Sequence, residues 1–79
     1  VVRVQTGVRI EKRMLKVLKA LAEYFDITLG DLLEGIVLHA FEGKSAFDEQ
    51  TREQIDALKS VYGMDYDASA SHNLFEESQ

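Results

Sequence analysis

The first ten residues, VVRVQTGVRI, alternate in character, and no later segment does. Even positions carry Val2, Val4, Thr6, Val8 and Ile10, while odd positions carry Val1, Arg3, Gln5, Gly7 and Arg9. A period of two in a Val-rich run predicts a half-buried strand with one apolar face and one cationic face. Gly7 is its weak point, since glycine inside a strand marks a bulge or a close backbone approach. A buried strand cannot leave its N–H and C=O groups unpaired. With no second strand in the chain, the expected partner is the same strand of a second copy, antiparallel about a two-fold axis.

After Ile10 the period becomes helical. Met14, Leu15, Leu18, Leu21, Ala22 and Phe25 recur at three- and four-residue steps, predicting an amphipathic helix over roughly 11 to 25. Glu11 favours its N-terminal end through the helix dipole, and Asp26 suits a left-handed stop. Thr28 followed by Asp31 has the form of an N-cap, opening a second helix whose apolar face is Leu32, Leu33, Ile36, Val37, Ala40 and Phe41, with Gly43 as its stop. That face is wider than one surface helix needs, so it is expected to pack on more than its own chain. A third helix is predicted between about 46 and 62, opened by Ser45 and Asp48, striped by Ile55, Leu58, Val61 and Tyr62, and ended by Gly63. The remainder, acidic with isolated Tyr66, Leu74 and Phe75, reads as a flexible tail. The chain thus divides into residues 1–43, 44–63 and 64–79.

Seventy-nine residues without cysteine make one small domain with no disulfide to reinforce its core, and dimerisation is the usual remedy. The net charge of -5 conceals a segregation: residues 1–19 hold six bases against one acid, a local +5, and residues 20–79 hold three bases against thirteen acids, a local -10. Exposed charges are screened beyond about 8 Å at physiological salt, so a local basic end attracts anions despite the overall sign. No apolar run has the length of a membrane span and no segment reads as a signal peptide, which predicts a cytoplasmic protein with no membrane partner. His39 and His72 have no ligand-like spacing, and no nucleophile elbow, phosphate loop or HExxH is present. No metal, cofactor or catalytic role is expected.

The order of V-x-V-x-T-x-V-x-I, M-L-x-x-L-x-x-L-A-E, the turn F-D-I-T and L-L-x-x-I-V-x-x-A-F over residues 2 to 43 resembles the ribbon-helix-helix family of dimeric DNA-binding repressors and antitoxins. The resemblance implies a mainly α, intertwined homodimer with one N-terminal strand and two core helices per copy, here with an extra C-terminal helix. It implies base contacts from Gln5, Gly7 and Arg9, Gly7 offering no side chain, and a phosphate held by the helix end at Thr28, Leu29 and Gly30. On the residues themselves, Arg3, Gln5 and Arg9 on a paired ribbon would suit the major groove, where Arg matches guanine and Gln matches adenine. Lys12 and Arg13 are expected at phosphates. Val8, Ile10, Leu32, Leu33, Ile36, Val37 and Phe41 are expected in the dimer core. The function so implied is sequence-selective binding of double-stranded DNA, as a transcriptional repressor or autoregulator. The alternative is a protein-interaction module or antitoxin whose residues 44–79 bind a partner protein.

Overall fold

The computed structural model describes residues 1–75, and these form three α-helices: α1 (Lys12–Phe25), α2 (Leu29–Phe41) and α3 (Glu49–Tyr62), followed by a single 3-10 turn, Ala68–Ala70. Each start and stop has a local cause. The Glu11 carboxylate caps α1 by accepting from the Arg13 and Met14 N–H groups, and Asp26 ends it in the left-handed conformation at φ 57°. Thr28 caps α2 through the Asp31 N–H at 3.1 Å. Past the end of α2, Gly43 takes φ +67°, and the Lys44 N–H returns to the His39 carbonyl at 2.9 Å. The third helix begins later than Ser45 suggests. Asp48 is its cap, accepting from the Thr51 N–H at 2.8 Å, while the Ser45 hydroxyl is spent on the Phe47 carbonyl.

α1 is the central element. It packs against α3 and, less extensively, α2, and those two helices have no comparable contact with each other. Leu21, Ala22 and Leu32 form the buried centre, with Leu18, Ile36, Phe47, Ile55 and Leu58 against it. Val17 on α1 is also buried.

The expected N-terminal strand is not formed. Among the described residues there is no strand, so the ribbon-helix-helix fold class is not the architecture of this chain: it is all-helical. Residues 1–10 run as an arm without regular structure, and Val2, Val4 and Val8 are all exposed. The reason is physical. Alternation prepares one face of a strand for burial, but a ladder also needs a second backbone, and none of the described segments supplies one. The radius of gyration is 13.5 Å, against about 12 Å for a compact chain of this length.

Candidate nucleic-acid interface

Lys12, Lys16 and Lys19 recur at four- and three-residue steps and so share one stripe of α1, and all three are exposed. At 1.5 Å per residue the stripe covers about 10 Å of helix axis, close to the rise of three phosphates on one strand of B-DNA. Lys16 lies 5.9 Å above the Tyr62 ring, a contact to an aromatic from α3 that orders the ammonium without neutralising it. Upstream, the arm adds Arg3, Gln5 and Arg9, all exposed.

Arg3 is already engaged. Its guanidinium reaches the Glu34 carboxylate on α2, with Nη2 to Oε1 at 3.1 Å and Nε to Oε2 at 3.2 Å. Both side chains are half or more exposed, so the pair tethers the arm lightly and is weakened by salt. Gln5, Gly7 and Arg9 stay on the exposed arm rather than on a paired strand.

Arg13 differs from the lysines. Its Nη1 donates to the Gly63 carbonyl and to Asp65 Oδ1, both at 3.0 Å, and its Nε donates to Glu11 Oε2 at 3.3 Å. Tyr66 covers the guanidinium face at 5.4 Å from the ring centroid. The Tyr66 hydroxyl in turn donates to Glu11 Oε1 at 2.8 Å. Partial burial by itself raises the Glu11 carboxyl, but the hydrogen bonds from Arg13, Tyr66 and Met14 outweigh it and hold it at about 2, against an ordinary 4.5. Burial, and then the bond to Glu11, push the Tyr66 phenol up to about 12.

Two of these participants, Tyr66 and Asp65, fall in the stretch that reads in sequence as flexible tail. Asp65 and Tyr66 instead lie against the start of α1, and residues 68–70 make the 3-10 turn; residues 76–79 of that tail lie outside the described residues. The available signal was Gly63. Its φ of +68° and the Met64 N–H bond to the Lys59 carbonyl at 2.8 Å reverse the chain at the end of α3. The returning segment meets α1 because the end of α3 lies beside the start of α1, as the Arg13–Gly63 contact fixes.

At the start of α2, Thr28 and Gly30 are exposed and Leu29 is half-buried, with the Asp31 carboxylate in the same first turn. That charge opposes an anion at this helix end. The residues expected in a dimer core are split. Leu32 is buried within the chain, Ile10, Leu33 and Ile36 are half-buried, and Val8, Val37 and Phe41 are exposed, Phe41 by 82%.

Among the described residues, no three His, Asp or Glu side chains converge to hold a metal ion. Nor is any helix among them long and apolar enough to cross a membrane. No protein-family model matches the chain, and neither a curated protein nor a solved structure gives a match.

Proposed function

We propose that the chain is a double-stranded DNA-binding homodimer that acts as a transcriptional repressor or autoregulator. One observation carries the reading: Lys12, Lys16 and Lys19 form an exposed basic stripe on α1, within the one net-basic stretch of a sequence whose remainder is strongly acidic. A local basic stripe of this kind attracts a polyanion, and the acidic surface elsewhere repels it. The lysines supply affinity through phosphate neutralisation. Arg9 and Gln5, on an arm free of ladder constraints, supply donors that distinguish base edges. The second copy covers Val37, Leu38 and Phe41, which extend along the outer face of α2 and are 43%, 59% and 82% exposed.

The test is titration with random-sequence duplex at rising salt. Each phosphate neutralised contributes about one unit of negative slope in log K against log salt. Binding that is undetectable at low salt, or a slope near zero, overturns the reading.

A second reading, a protein-interaction module or antitoxin working through residues 44–79, is favoured by a different observation. Val61, Leu74 and Phe75 are exposed apolar groups within an acidic region, a composition that suits a basic, apolar partner. A toxin-like reading frame beside the gene would support it.

A further inference from the structure

Arg13 sits at the start of the basic stripe, yet the chain itself consumes its charge. We propose that residues 63–66 form an autoinhibitory clasp on α1, taking Arg13 away from polyanions until the clasp is displaced. The proposal rests on reading α1 as a polyanion-binding surface.

The geometry supports the clasp on three sides. One edge of the guanidinium is shared between the Gly63 carbonyl and the Asp65 carboxylate, both at 3.0 Å. Another edge faces Glu11, 3.3 Å away, and Tyr66 covers the ring-facing side. One cation is thereby held between two carboxylates, so this corner adds no positive charge to the stripe that continues through Lys12, Lys16 and Lys19. A phosphate approaching Arg13 must displace Asp65, whose carboxylate occupies the position a phosphate oxygen would take. The arrangement is displaceable because Asp65 is 82% exposed and its ion pair is therefore screened. Glu11, by contrast, is fixed as the α1 cap and stays in either state. The release step is the lifting of residues 64–66 from α1.

Linkage makes this reciprocal: a clasp that opposes polyanion binding must itself be loosened by a polyanion. A partner that takes up the segment after Gly63 would accordingly raise polyanion affinity at the opposite end of the chain sequence.

The experiment compares the wild-type protein with Asp65→Asn and with Asp65→Asn/Tyr66→Phe, using immobilised heparin and random-sequence duplex as separate probes. Glu53→Gln, an exposed position of α3, controls for the loss of one negative charge. The clasp variants are expected to elute from heparin at higher salt than the control and to show a duplex salt slope steeper by about one unit. Adding Arg13→Gln to the variant is expected to cancel the gain. If the double variant fails to fold, Asp65→Asn alone decides, since its exposed side chain contributes no packing. Heparin elution matching the Glu53→Gln control overturns the clasp. If wild type still binds duplex in that case, the DNA reading survives. An Arg13-dependent gain on heparin without any duplex binding supports the clasp and overturns the DNA reading. No gain on heparin and no duplex binding overturns both.

Discussion

α1 and α2 are almost equal in length, 14 and 13 residues, but they differ in what they hide. α1 is sharply amphipathic: Val17, Leu21 and Ala22 are buried while Lys12, Lys16 and Lys19 face solvent. α2 is the more apolar helix, yet Leu32 is its one buried residue. Burial follows arrangement rather than content. A narrow stripe matched to the neighbouring helices disappears into the core, whereas a wide one leaves surplus that a chain of this size has no second layer to cover. The first helix organises the fold, and the second exposes a surface the fold does not use.

The largest expected effect breaks the comparison on the α1 side. Leu21 is 1% exposed, and truncating it to alanine should cost on the order of 2–5 kcal/mol in urea unfolding. A loss below about 1 kcal/mol would mean that the core is organised elsewhere. On the α2 side, Phe41→Ala should leave the fold of a single chain nearly intact and act on association instead. Burying a phenylalanine is worth about 1.5–3 kcal/mol, and a homodimer buries two, so the dimer dissociation constant should rise roughly 100-fold or more. Sedimentation of wild type and variant measures it, and a wild type that stays monomeric at high micromolar concentration removes the second copy from α2.

What could be read from sequence divides along the same line. Asp26, Thr28 and Gly63 act on backbone groups within a few residues, so their roles as stop, cap and stop are legible and are observed. The third helix opens at Asp48 rather than at Ser45 because two S/D-type caps lie three residues apart, and Asp48 takes the role. The strand fails to form for a larger reason. The alternation of Val2, Val4, Thr6 and Val8 records a face suited to burial, and no local signal says whether a pairing backbone exists. At the candidate site, the stripe of Lys12, Lys16 and Lys19 follows from helical spacing alone. The contacts of Arg13 with Asp65 and of Tyr66 with Glu11 span 52 and 55 residues, and no periodicity carries that information.

The cationic end supplies the next contrast, between the arm and α1. If Arg9 reads a base, Arg9→Ala should cost about 1–3 kcal/mol on duplex selected from a random pool and far less on unselected duplex. Lys16→Ala should instead weaken both equally and lower the salt slope by about one unit. Fluorescence anisotropy at several salt concentrations separates the two patterns. Equal losses for Arg9 on both duplexes would place it with the phosphate contacts and leave the arm without a base-reading role.

The smallest effect concerns pH and distinguishes the capped start of α1 from the rest of the chain. Glu11 is held at about 2 in the folded protein, below its ordinary 4.5. A carboxylate with a depressed folded value adds stability that is complete above about 4.5 and is lost as pH falls toward 2. Asp48 and Asp67 are lowered as well, by hydrogen bonds from Thr51 and Ser69, so acid weakens the start of α3 and the 3-10 turn in the same direction. Glu11→Gln isolates the α1 share, because the amide cannot be neutralised by acid. Wild-type helix content, followed by circular dichroism, should be level from pH 7 to about 5 and then decline more steeply than that of the variant. Tyr66 provides the opposite limb. Its phenol is raised from 10.0 to about 12, so the stability it contributes is complete below pH 10 and is lost as pH rises through 12. Absorbance at alkaline pH should therefore show a late tyrosine ionisation that Tyr66→Phe removes. Parallel acid curves for wild type and Glu11→Gln, with no late tyrosine, would mean that residues 64–66 leave α1 in solution, and the two ends of the chain would then be independent.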